Sequence, residues 1–204
     1  MNRNNNFFVI DAETGGLDEK LHGVCEIGIC IMDWNLNDVE NYCKVIKPYN
    51  EKLKYDEPAL KVNKLTMAEI RKGEDASVVV DEIIDLAKKY KVGRIKPVLC
   101  GHNIVNFDFL FLEAFFKFHK KDMWEYFEKC CIDTLWWAGF RHKELDNFKL
   151  GTVLGKENIY LSDAHTALGD TESTKELAKC FLRALRGEGQ GISKQKKFRE
   201  TFQF

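Results

Sequence analysis

FFVIDAETGG, residues 7–16, sets two carboxylates one residue apart directly behind an apolar run. Phe7-Phe8-Val9-Ile10 is short, continuous and rich in aromatic and β-branched side chains, which reads as a central strand. Side chains at i and i+2 of a strand point the same way, so Asp11 and Glu13 share a face at its carboxyl end. Thr14-Gly15-Gly16 then turns the chain. Two like charges held side by side are unfavourable unless a cation sits between them. The carboxyl end of a central strand is also where an α/β sheet places its ligands. Taken alone, an Asp-x-Glu at a strand end is usually a solvated pair, so the acids need partners from elsewhere in the chain.

Outward from this stretch, VCEIGICIM (24–32) reads as a second strand, with Cys25, Ile27 and Ile29 on one alternation and Glu26 and Gly28 on the other. Residues 42–46 read as a third, and three consecutive strands predict an antiparallel meander. The period then changes. Thr66 followed by Glu69 is a capping-box pattern, and Val79, Ile83, Leu86, Ala87 and Tyr90 recur at helical spacing. PVLCG (97–101) is a short buried strand, 107–119 a helix rich in Phe and Leu, and Asp133 caps a helix that follows a strand end at 132. The last helix is expected over about 164–186. Strands first, then alternating helices and strands, predict an α/β mixed sheet with helices on both faces. Residues 1–186 form one domain in this reading. Residues 187–204 are a basic tail carrying Lys194, Lys196, Lys197 and Arg199, with Phe198 and Phe202 between and beyond them.

The bulk composition narrows the function classes. The 204 residues suit one core, and 45% hydrophobic with 31% charged residues is ordinary for a globular protein. A net charge of -1 excludes an overall basic coat, so any contact with nucleic acid is local. Seven cysteines, an odd number without a CxxC, read as buried thiols of a reducing compartment rather than a zinc site. The amino-terminal apolar run is too short for a signal peptide, and no stretch approaches the ~20 apolar residues of a membrane span. The expectation is a cytoplasmic protein, or a nuclear one in a cell with a nucleus, without a membrane partner.

Two further pieces supply the partners. GHNIVNFDFLFLEAFF (101–116) puts Asp108 at the start of a very apolar helix, behind Asn103 and Phe107. An acid there also satisfies a helix dipole. DAHTALGDTEST (163–174) puts His165 five residues before Asp170, which shares a stripe with Ala167, Thr174, Leu177 and Phe181.

Asp-x-Glu, Asn-x3-Phe-Asp and His-x4-Asp, in this order, resemble the DEDDh branch of the DEDD 3′–5′ exonucleases. Relatives by this pattern include ribonuclease T, exonuclease I and the proofreading subunit of bacterial replicative polymerases. The resemblance covers about residues 7–185. LKVNKLTMAEI (60–70) stands where the family often has a Val-His-Gly-Ile-Thr-like stretch, with Asn63 at the usual histidine. IDTLWWA (132–138) looks like the family's Asp-Thr-Leu helix start. The sister branch has Tyr four residues before the last Asp; Thr166 stands there, which excludes it.

The resemblance implies a ribonuclease H-like fold with a five-stranded sheet, and a site of two divalent cations, Mg²⁺ or Mn²⁺. Asp11, Glu13, Asp108 and Asp170 match the four acidic positions and His165 matches the general base. Asp11 would bridge the metals, Glu13 and Asp170 complete the first site, and Asp108 support the second through water. Hard cations prefer such oxygen ligands, and two of them serve both attacking and leaving oxygens in phosphodiester hydrolysis. The implied substrate is the 3′ end of single-stranded DNA or RNA, with DNA favoured. Thr14 and Gly15 would offer backbone amides to the terminal nucleotide, Leu17 matches the position that wedges beside the terminal base, and Asn63, Asn103 and Phe107 are candidates for the pocket wall. Phe107 also suits the core, and Trp136, Trp137 and Phe140 are expected to pack there. Two rival readings are a catalytically idle nuclease fold serving as an adaptor, and a proofreading subunit docked on a polymerase or other replication partner through its tail.

Overall fold

The computed structural model describes residues 5–159 and 166–188. The first strand forms and runs on through the acids: β1, Phe7–Thr14, pairs antiparallel along its length with β2, Val24–Met32, which pairs antiparallel with β3, Asp38–Val45. Three helices follow: α1, Glu57–Val62; α2, Met67–Ile70; and α3, Ala76–Lys89. Strand β4, Val98–Gly101, lies parallel to β1 on its other side. Helix α4, Asp108–Phe118, and a 3-10 turn at Met123–Glu125 lead to β5, Cys131–Asp133, parallel to β4. Helices α5, Thr134–Arg141, α6, Leu150–Glu157, and α7, Ala167–Leu185, complete the described elements. The sheet order is β3-β2-β1-β4-β5, the expected meander with two parallel strands added.

The alternation of β1 sorts two cores. Phe8, Ile10 and Ala12 face a cluster with Val79 and Ile83 of α3 and Phe111 and Phe115 of α4. Phe7 and Val9 face the opposite cluster, with Cys30, Met32, Val98, Cys100 and Ala178 and Leu182 of α7. Helices therefore cover both faces, as expected.

Local signals explain most boundaries. The capping box at Thr66 forms in both directions, Glu69 N–H to Thr66 Oγ1 at 3.2 Å and Thr66 N–H to Glu69 Oε2 at 2.8 Å. It starts a helix of only four residues, because Glu74 N–H is taken by Val45 O just beyond. Asp133 caps α5 by accepting Leu135 N–H at 3.0 Å. Helix α7 starts at Ala167, with Thr166 accepting Gly169 N–H at 3.1 Å, and residues 160–165 lie outside those described. The expected core packing of Trp136 and Phe140 does not occur: they are 52% and 89% exposed, while Trp137 packs on Phe181 of α7. Positions 136 and 140 are one turn apart and share the outer face of α5, whose inner face presents Thr134 and Ala138.

Candidate active site

Asp11 and Glu13 continue the alternation of Phe7 and Val9, so their side chains fall on the α7 face of the sheet. Asp170 sits in the first turn of α7. Asp11, Glu13 and Asp170 each offer a carboxylate oxygen, and these three atoms all lie within 4.8 Å of one another. Asp108 arrives by a different route. Strand β4 pairs with β1 only at Phe7, Val9 and the residue between, then ends at Gly101. Further along, Ala12 has no β4 residue beside it, and its N–H donates to Asp108 Oδ1 at 3.0 Å. Asp108 is buried at the first position of α4, where the helix's free amides favour a carboxylate.

Buried Asp133 holds the connection from β4 to α4. It accepts N–H groups from Asn103 at 2.9 Å and Val105 at 3.3 Å besides Leu135. Asn103 takes the left-handed φ of 64° that this turn needs, a conformation asparagine tolerates.

The acids repel one another in a partly buried site. Burial first, then Asp108, Glu13, Asp170 and Glu26 in turn, holds Asp11 well above the usual carboxylate range. Burial and the charges of Asp170, Glu26 and Asp108 push Glu13 up to about 7. Burial pushes Asp108 up to about 7 against the pull of the Ala12 amide. A cluster of oxygen ligands this close, with Asp11, Glu13 and Asp108 reluctant to ionise, fits hard divalent cations: they prefer oxygen donors and relieve the repulsion.

The candidates for nucleotide binding divide. Leu17 is 86% exposed on a loop clasped from below. His22 Nε2 meets Asp56 Oδ2 at 3.1 Å, and a side chain at Gly16 would strike the His22 ring. The Gly15 N–H, expected to be open to a ligand, instead donates to Gly23 O at 2.8 Å, and Gly15 O accepts from Asp56 N–H at 2.7 Å. Close packing at Gly15 is therefore against Lys54 and Tyr55 of this chain. Thr14 Oγ1 donates to Gly16 O at 2.6 Å. Asn63 is buried and donates to Thr14 O at 2.9 Å, which fastens α1 to the end of β1. Asn103 Oδ1 accepts from Asn106 within its own turn at 3.0 Å. Phe107 is partly buried against the larger core, its ring tilted against that of Phe111. His165 and the tail from residue 189 lie outside the described residues.

Sequence reading missed Glu26. It stands directly opposite Glu13 in the β1–β2 ladder, on the site's face, and its Oε2 accepts Ala167 N–H at 3.1 Å. The signal was present, an acid on the otherwise buried alternation of β2. Its meaning depended on which helix would cover that face. The cysteines are all free, and burial pushes Cys25 and Cys30 up to about 12.

Comparison with known proteins gives a family and a fold. The family model RNase_T, described as an exonuclease, matches residues 8–178. A DNA polymerase III of PolC type from Pediococcus pentosaceus is 26% identical over 177 residues, 87% of this chain and 11% of its own. The PolC-type polymerase of Thermotoga maritima is 26% identical over 199 residues, 97% of this chain and 13% of its own. The chain thus spans a small fraction of these relatives. Among solved structures, product-bound exonuclease I superposes with a TM-score of 0.74 at 22% identity, covering 89% of this chain and 44% of that one. Exonuclease I of E. coli in complex with a dT13 oligonucleotide gives 0.72 at 22% identity, covering 88% and 41%. These structures share the fold, a ribonuclease H-like α/β sheet.

Proposed function

The chain belongs to the RNase T exonuclease family, and from that premise we propose that it is a divalent-metal-dependent 3′–5′ exonuclease acting on single strands, DNA in preference to RNA. The observation that carries this reading is the meeting of Asp11, Glu13 and Asp170 within 4.8 Å on one face of the sheet. Asp11, Glu13 and Asp170 hold the cations, with Asp108 supporting the second through water. Two bound divalent cations supply the activation of water and the charge neutralisation that phosphodiester hydrolysis needs. His165 accepts the proton of the attacking water, which suits an imidazole near working pH. Leu17, exposed on its clasped loop, stacks beside the terminal base, and such stacking is tolerant of sequence. A wedge of this kind penalises a paired end. The similarity to PolC-type polymerases supports a partner in replication, with the tail as the segment that would bind it.

The test is degradation of matched 5′-labelled DNA and RNA single strands, linear and circular, with Mg²⁺, with Mn²⁺ and with chelator. Stepwise shortening of linear strands to mononucleotides, abolished by chelator and by Asp11→Asn, is expected. Equal cleavage of the circle would make the enzyme an endonuclease. No cleavage of either polymer with either metal, together with retained single-strand binding, would favour the adaptor reading.

A further inference from the structure

Like charges directly opposite one another on paired strands are destabilising, yet Glu26 faces Glu13 across the β1–β2 ladder. Both of its oxygens have hydrogen-bond partners outside the acid trio. Oε2 accepts Ala167 N–H at 3.1 Å, and Oε1 accepts the Cys43 thiol at 3.4 Å. Ala167 is the first residue of α7, and its amide is among those with no partner inside the helix. Gly169 N–H is also met, by Thr166 Oγ1 at 3.1 Å. One of these two caps therefore comes from the sheet, from Glu26 of β2.

Gly28, two residues on and on the same face, completes the seat. A Cβ there would lie inside van der Waals contact of Ala167 O and of Thr171 Oγ1. The first turn of α7 thus rests directly on the β2 backbone while Glu26 grips its end. Asp170 follows Ala167 by three residues, so this grip sets how far its carboxylate stands from Asp11 and Glu13.

We propose that Glu26 is a positioning residue: its carboxylate holds the amino end of α7 on the sheet and thereby places Asp170 for metal binding. The proposal rests on reading the acid trio as a metal centre. Reach, not charge, is what this role requires. Glu26→Gln keeps an oxygen for the Ala167 amide and loses the charge; Glu26→Asp keeps the charge and falls one methylene short.

The experiment measures two quantities on the full chain: hydrogen exchange of the 167–169 amides without metal, and Mn²⁺ affinity by calorimetry. Glu26→Asp should expose those amides to faster exchange and weaken Mn²⁺ binding about 10- to 100-fold, as loss of a supporting contact behind a metal ligand does. Glu26→Gln should keep most of both. The reverse order, Asp close to wild type and Gln impaired, would show that Glu26 acts through its charge and overturn the proposal. Identical behaviour of the two variants would overturn it as well. If the wild type bound no Mn²⁺ the metal-centre reading would fail, while the exchange of the metal-free variants would still decide whether Glu26 holds α7. Exchange in β1 and β2 serves as the control: protection retained there with loss confined to 167–169 marks a local release of the helix end.

Discussion

Asp11 bears the repulsion of every other acid in the site, and that makes the metal-free protein sensitive to pH in a definite direction. Glu13 and Asp108 hold their protons up to about 7 in the fold, whereas unfolded carboxylates release theirs near pH ~4. Between those values the native state binds more protons than the unfolded state, so stability falls as pH rises. The stabilisation is complete below the unfolded values and is lost as pH passes through about 7. Thermal melts of the chelated protein should therefore drop by several degrees between pH 5 and pH 8.5, and Mn²⁺ should restore the loss at the alkaline end. A flat profile would mean that the carboxylates do not share one site. Asp11→Asn removes the charge at the centre of the cluster. At pH 8 without metal it should stabilise the protein by on the order of 1–2 kcal/mol, and in calorimetry it should lose Mn²⁺ binding. A variant that bound Mn²⁺ like the wild type would move Asp11 out of the ligand set.

Helix α7 is the element on which the site turns, because it brings Asp170 to the acids of β1 and covers the apolar face that Phe7 and Val9 present. Gly28→Ala should drive its first turn off the sheet, at a cost of about 1–3 kcal/mol in denaturant titration, with Mn²⁺ affinity falling alongside. Wild-type stability in that variant would mean that α7 is not seated on β2. Strand β2 was legible to the residue because its alternation is unbroken. The acids of β1 were legible because carboxylates behind an apolar run have few uses. Helix α1 was missed although Pro58 in its first turn is a start signal. Helix α6 was missed for a better reason: Gly151 and Gly155 give its short stretch poor helix propensity. Strand β3 was shortened because an edge strand is free to be polar, and Asp38, Glu40 and Lys44 hide its period. Four candidate acids could be named from their order along the chain. The part played by Glu26 could not, since its bond partner lies 141 residues away and nothing local to β2 announces the helix that will need it.

At the scale of the whole molecule the acid cluster is a product of complete folding. Asp11 and Glu13 come from the first strand, Asp108 from the start of α4 and Asp170 from the last described helix. A chain stopped at residue 159 should lack a cooperative thermal transition and bind a hydrophobic dye, because Cys30, Met32, Val98 and Cys100 would lose the cover of Ala178 and Leu182. A sharp melt close to that of the full chain would show that the sheet needs no helix on that face. The late position of α7 also governs when the protein becomes dangerous. Polypeptides are made from the amino end, and roughly 150 residues separate Glu13 from Asp170, on the order of ten to thirty seconds of synthesis. On the metal-centre reading proposed above, the nascent chain carries only part of the ligand set through that interval, and a ribosome that stalls before α7 would release a fragment without Asp170.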